Sequence, residues 1–244
     1  ADGSSKFGAN DRWGYFPSVS AGWSISDESF YNDWLGTGST LKLRASWGLS
    51  GNNNIPNYEY SHTLGTPGGT VIGGSVVNAT WRGGIADPGL GWESTSQFNL
   101  GADVGLFNGR LNLIANYYNG RSFNLLYQQN IAALAGTRQY LTNLKNSDIR
   151  NYGIDLQLDA RVIRTKNFSL NLSGNIMFNK NEVRSLDGAP ELRVAGAERS
   201  YITHITRVGD PIGMFFGHKV AGMVREADMA NLAADDAVYQ ANGN

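Results

Sequence analysis

Cysteine is absent from the 244 residues, which excludes disulfide scaffolds, thiolate metal centres and cysteine nucleophiles. Neither sign of charge is in excess. Twenty basic and 21 acidic residues leave a formal charge of −1, so no overall field draws the chain to nucleic acid or to an acidic surface. No stretch of about 18 apolar residues occurs, and with it goes any transmembrane helix. The three histidines, His62, His204 and His218, lack metal-ligand spacing and read as incidental polar residues. Residues 1–5 carry neither an initiator Met nor a signal peptide, and residues 241–244 end in polar sequence. The chain is therefore expected to be part of a longer polypeptide.

What is present is alternation. From Phe98 to Leu106 every even position is apolar and every odd one is polar or glycine. A period of two describes a strand with one apolar and one wet face. Six stretches of about ten residues share this pattern: 13–25, 40–50, 94–106, 110–119 (extending toward 127), 150–162 and 167–179. A soluble β-sandwich is the competing reading, but its strands are usually about five or six residues. A negative mean hydropathy agrees with a barrel, because half the strand residues face a wet lumen.

In the first stretch Trp13, Tyr15, Pro17, Val19, Ala21, Trp23 and Ile25 share a face, and Phe16 is the exception on the polar one. Trp13 and Trp23 lie roughly 33 Å apart along a continuous strand, which a tilt reduces to roughly the height of an outer-membrane apolar band. Each indole would then sit in an aromatic girdle. Ser26 is placed to cap a short helix that ends before Gly36, with Asp27 and Glu28 in its first turn. In the second stretch Lys42 and Arg44 oppose Leu41, Leu43, Ala45 and Trp47, so a one-residue slip would turn two cations toward lipid.

The connectors are one-sided. Asn108-Gly109 is a tight-hairpin signal, and residues 164–166 form a second short turn. The connector after the first stretch is compact, and the remaining three span 51–92, 120–148 and 180–200. Up-and-down topology puts the long ones at one end, as in outer-membrane barrels. The pattern weakens at 201–208 and 212–224, which suit a further hairpin or a folded part of an outer loop. Residues 227–239 are alanine-rich and expected to be helical. The fold expected is an all-β, antiparallel, up-and-down transmembrane barrel segment with long extracellular loops and short periplasmic turns.

The motifs resemble those of the SusC/RagA-like TonB-dependent outer-membrane transporters of Bacteroidota. They are Trp13-Gly14-Tyr15-Phe16-Pro17 through Trp23, Leu41 through Gly48, Gly51-Asn52-Asn53, Pro88-Gly89-Leu90-Gly91-Trp92-Glu93, Gln97 through Gly101, Phe107 through Leu111, Asn151-Tyr152-Gly153-Ile154, and Val208 through Gly217. They occur in the family's order across nearly the whole chain. The resemblance implies a 22-stranded barrel plugged by an N-terminal domain. It also implies TonB-powered import of oligosaccharides or peptides and a SusD-like lipoprotein over the outer mouth. Residues 1–244 would be the later part of the barrel domain, without the plug and the final strands. A siderophore-type receptor, a porin-like barrel and a surface adhesin or autotransporter barrel are the competing classes.

No residue set points to catalysis, a cofactor or a metal, so the chain is not expected to be an enzyme. Asp155 and Asp159 share a face about 13 Å apart along a strand, too far for a glycosidase pair, and read as solvated lumen carboxylates. Gly65-Thr66-Pro67-Gly68-Gly69-Thr70 with Gly73-Gly74 lacks the lysine and the strand-to-helix context of a phosphate loop; it reads as a flexible outer loop. Tyr58, Tyr60, Trp81 and Trp92 lie in or beside the 51–92 connector. Sugar stacking, loop packing and contact with a lid protein all remain open for them.

Overall fold

The computed structural model describes residues 1–31, 38–62, 64–82, 84–195 and 201–219. Thirteen strands occur among them: β1 (Asp2–Gly3), β2 (Trp13–Gly14), β3 (Ser18–Ser24), β4 (Thr40–Asn52), β5 (Leu64–Ile72), β6 (Ser75–Arg82), β7 (Glu93–Leu106), β8 (Leu111–Asn130), β9 (Gln139–Arg164), β10 (Ser169–Leu186), β11 (Glu191–Ala195), β12 (Ile202–Arg207) and β13 (Met214–Phe215). The main sheet is a six-stranded antiparallel meander in the order β10-β9-β8-β7-β4-β3. It is open, with β3 and β10 at its edges. Smaller sheets pair β1 with β2, β5 with β6, and β11, β12 and β13 in that order.

Register carries the sequence alternation across the strands. Leu43 faces Ala102, Ala102 faces Ala115, Ala115 faces Leu156 and Leu156 faces Ile176. On the opposite face Lys42 faces Asp103, Ser46 faces Asn99 and Asn116 faces Asp155. Among the described residues nothing covers the apolar face: Leu43, Leu100, Ile154, Leu158, Ile176 and Phe178 are all exposed. Such a face is stable only against lipid. Ile114 and Met177 are apolar residues on the polar face, beside Gln157 and Asp155 respectively.

The first expected strand is interrupted. β2 pairs with β1 rather than with the main sheet, and β3 begins only at Ser18. Pro17 has no N–H to give to a ladder, although its carbonyl still accepts from the Leu49 N–H at 2.9 Å. Trp13 therefore lies off the main sheet, its ring against Gly3, and the two-girdle placement of Trp13 and Trp23 does not hold. Phe16 breaks the alternation because its ring lies across Gly14 and Gly51 and meets Trp92 edge-on at 5.2 Å.

Ser26 does not cap. It lies inside a 3-10 turn, Ile25–Asp27, whose N-cap Ser24 makes no side-chain bond. Residues 29–31 are helical, and the expected helix end near Gly36 lies outside the described residues. The 227–239 helix lies outside them as well.

Two connectors are shorter than expected because the strands run on. β8 and β9 continue as a ladder to Asn130 and Gln139, leaving residues 131–138 as the tip. β10 reaches Leu186. At about 3.3 Å per residue, the 26 residues of β9 extend roughly 85 Å, well beyond the hydrocarbon thickness. A bulge at Asn124, with φ of 54°, marks where the outer part of the ladder begins.

The glycine-rich segment is a hairpin and not a flexible loop. β5 and β6 turn through Gly73 and Gly74, both with positive φ (61° and 82°), as a type I′ hairpin requires. β12 pairs with β11 on one side and β13 on the other, and the three do not join the main sheet.

By its contacts the chain divides into a unit of Ala1–Leu192 with Thr206–Met214 and a unit of Arg193–Ile205 with Phe215–Asn244. In the second, His204 lies 5.1 Å from the Phe215 ring and the Phe216 N–H donates to the Thr203 carbonyl.

Candidate functional site: the lumen wall and the outer end

The polar face of the main sheet is a connected lattice. Arg44 donates to both Asp103 oxygens, at 2.9 and 2.7 Å, and to Asn116 Oδ1 at 2.9 Å. Asn116 Nδ2 in turn donates to Asp155 at 3.3 Å. The chain of bonds crosses β4, β7, β8 and β9. Arg44 can pass over β7 because Gly101 stands beneath it: a Cβ there would lie 2.8 Å from the guanidinium carbon. Gly153 does the same for Tyr118, whose hydroxyl crosses β9 to donate to Asn179 on β10 at 2.9 Å. Asp159 accepts from Gln157 at 2.9 Å, so neither carboxylate of the spaced pair faces the other. The lattice leaves a shallow cavity of about 340 Å3 beside Lys42, Arg44, Asn99 and Asn116.

The outer end of the sheet holds a folded core. Phe7, Ile55 and Leu90 are buried together, with Tyr60, Trp92, Leu126 and Leu141 packed around them. Trp92 lies 5.2 Å from both Phe7 and Phe16, and its indole N–H donates to the Arg12 carbonyl. The Pro88–Glu93 motif builds this core. Leu90 fills it, Asn143 clamps Gly91, and Glu93 accepts from Asn52 and from the Leu126 N–H. The Val208–Gly213 motif instead lies along the β10 edge. Val183 exchanges backbone bonds with Gly209 and Asp210, and the Ile212 N–H donates to Asn181.

The four singled-out aromatics thus separate. Tyr60 and Trp92 are part of the loop core. Trp81 lies in β6 opposite Gly65. Tyr58 is 63 % exposed with φ of 67°, a conformation uncommon outside glycine and asparagine. It borders a polar cleft of about 170 Å3 with Glu59, Gln128, Thr137, Gln139 and Tyr140. The last four sit on the outer β8–β9 ladder and its tip, which the sequence did not single out. His62 Nδ1 lies 3.4 Å from the Gly84 carbonyl, closing the base of the β5–β6 hairpin. Among the described residues no group of metal-ligating side chains occurs.

An open meander with one lipid-exposed apolar face, one polar lattice, tight turns at one end and folded connectors at the other is outer-membrane β-barrel wall. The model of the TonB dependent receptor-like β-barrel family matches residues 1–230, and the chain belongs to that family. Among curated relatives it is 34% identical to the TonB-dependent receptor SusC of Bacteroides thetaiotaomicron over 78% of this chain and 19% of that protein. It is 33% identical to TonB-dependent receptor P39 of Formosa agariphila over 100% of this chain and 22% of that protein. Of solved structures, the RagAB peptide transporter matches with a TM-score of 0.75 at 25% identity, covering 87% of this chain and 22% of that one. The chain is SusC/RagA-like and an outer-membrane protein. It spans about a fifth of the length of these relatives.

Proposed function

We propose that this chain supplies part of the barrel wall and outer vestibule of a TonB-coupled importer of oligosaccharides or peptides, working with a SusD-like lipoprotein. In this reading residues 1–244 are one part of the barrel domain. The plug and the TonB-contacting segment belong to the remainder of the polypeptide. The observation that carries the reading is the pairing of a polar lumen lattice with an outer end built as a rigid core instead of free loops. A passive wall needs the first; capture of cargo needs the second, because binding groups must be held in place. Family membership supports it, as does the likeness to a structure described as a peptide transporter.

Within the vestibule, Tyr58 is the aromatic offered to cargo, while Tyr60 and Trp92 hold the floor behind it. The β5–β6 hairpin, whose β6 contains Trp81, is part of the 51–92 connector that also carries Tyr58.

Uptake by cells carrying the full-length gene tests the reading. Labelled oligosaccharide and peptide libraries should enter in a manner abolished by deleting the gene or by collapsing the proton gradient. A SusD-like lipoprotein should co-purify. Unchanged uptake together with lost surface adhesion would replace the importer by an adhesin barrel.

A further inference from the structure

We infer that the membrane-facing side of β8, β9 and β10 carries a site for the phosphorylated headgroup of an outer-leaflet lipid, formed by Arg150 and Lys180 with Arg121 beside them. The argument begins with register. On the lipid side the row Leu100–Tyr117–Ile154–Phe178 is apolar and aromatic. Two residues farther toward the long connectors the row reads Phe98–Asn119–Tyr152–Lys180. The next reads Ser96–Arg121–Arg150–Glu182. Each step is about 6.6 Å along a strand, so the cations begin just where the apolar band and its aromatics end. That level is the headgroup region of the outer leaflet.

Arg150 and Lys180 are also poorly compensated. Arg121 and Arg150 are directly paired across β8 and β9, a like-charge arrangement that is unfavourable by itself. Asp148 serves Arg121, through bonds of 3.2 and 2.5 Å. Glu182 stands opposite Arg150 in register, yet the ion pair it makes is with Arg184 at 3.9 Å. The partners of Arg150 among the described residues are neutral: Asn119 Oδ1 at 2.9 Å and the face of Tyr152 at 4.4 Å. These two contacts fix the guanidinium in place and leave its remaining N–H donors open. Lys180, exposed on the neighbouring strand, adds a second positive charge one diagonal step away. A guanidinium with a nearby ammonium at a membrane interface matches a phosphate monoester, and the apolar band directly below accommodates the acyl chains of the same molecule.

Native mass spectrometry of the full-length protein in detergent tests the site with three probes at equal concentration: bis-phosphorylated lipid A, its dephosphorylated form and inorganic phosphate. The phosphorylated lipid should remain bound. Occupancy should fall at least tenfold in the Arg150→Gln/Lys180→Gln variant and little in Arg150→Lys or in Lys166→Gln, a cation at the opposite end of the sheet. Should Arg150→Gln fail to assemble, Lys180→Gln alone, at an exposed position, should still lower occupancy severalfold. Equal retention by that variant, or equal retention of the dephosphorylated lipid, would reduce the site to general apolar contact and overturn the inference. Displacement by inorganic phosphate would overturn it in favour of a simple anion site. None of these outcomes depends on what the barrel imports.

Discussion

Asn143 holds Gly91 by both ends of one amide: its Oδ1 accepts from the Gly91 N–H at 2.7 Å and its Nδ2 donates to the Gly91 carbonyl at 3.0 Å. The same Nδ2 reaches the carbonyl of Asn124 at 2.9 Å, at the bulge where the outer ladder begins. A single buried side chain thereby does for the 88–92 segment what a neighbouring strand would do. It ties the connector that carries Leu90 and Trp92 to the extended β8–β9 ladder.

Asn143→Ala should therefore unlock the outer core without unmaking the wall. Each backbone group left unpaired in this half-buried segment costs up to about 1–3 kcal/mol. Limited proteolysis on intact cells should cut the 51–92 connector much faster in the variant, while heat-modifiable migration of the full-length barrel persists. Unchanged protease resistance would show that the packing of Phe7, Ile55 and Leu90 suffices by itself.

Gly101 and Gly153 look alike in sequence and should not behave alike. A methyl on Gly101 meets the far end of Arg44 and the Asn116 oxygen, both at 2.8 Å. Arg44 can swing aside and keep Asp103, so Gly101→Ala should assemble nearly normally. A methyl on Gly153 meets the Phe178 backbone carbonyl as well as the Tyr118 ring, and a paired strand cannot step back. Gly153→Ala should depress the folded fraction in outer membranes severalfold, and Tyr118→Ala should fail to rescue it. Rescue by Tyr118→Ala would place the whole clash on the side chain.

Much of the wall was legible in the sequence because lipid and lumen act on alternate residues, and the alternation from Phe98 to Leu106 is sufficient to set a register. The turn at Asn108-Gly109 was legible for a similar reason: its φ values of 56° and 74° are ones that few residue types accept. What escaped was governed by tertiary contacts. Nothing local announces that Trp13 pairs with residues at the N-terminal end, or that Phe16 spans Gly51, which is distant in sequence. The β5–β6 hairpin had a signal, Gly73-Gly74 between Val71-Ile72 and Val76-Val77, but the density of glycine before it obscured the strands. The outer continuation of β8 and β9 kept no clean period because both its faces meet protein or water.

The register makes adjacent positions on β9 opposite in kind. Leu156 lies in the lipid-facing row with Ala115 and Ile176, and Gln157 faces Ile114 and Asn175. Since the chain has no cysteine, single-cysteine variants read out cleanly. Gln157→Cys should label with a polar maleimide in membranes far faster than Leu156→Cys. Leu156→Arg should impair assembly by about 2–4 kcal/mol if it sits near the bilayer midplane, and Gln157→Arg by much less. Preferential labelling at 156 would invert the wall.

Topology across the membrane follows from two turns with opposite fates. At the β5–β6 tip a Cβ on Gly73 or Gly74 would meet no atom within 4 Å, so an epitope inserted there should disturb little. It should be detected on intact cells. The Phe107–Arg110 turn offers no such freedom. Its residues 107–109 all have positive φ, the Arg110 N–H closes onto the Phe107 carbonyl at 3.2 Å, and the Asn108 N–H donates to the Gly38 carbonyl at 2.8 Å. An epitope between Asn108 and Gly109 should appear only after permeabilisation and at a lower level, because the turn sets the β7–β8 register. Surface detection of the 108–109 tag on intact cells would reverse the orientation. The Tyr58 cleft would then face the periplasm, where it could not receive cargo from outside.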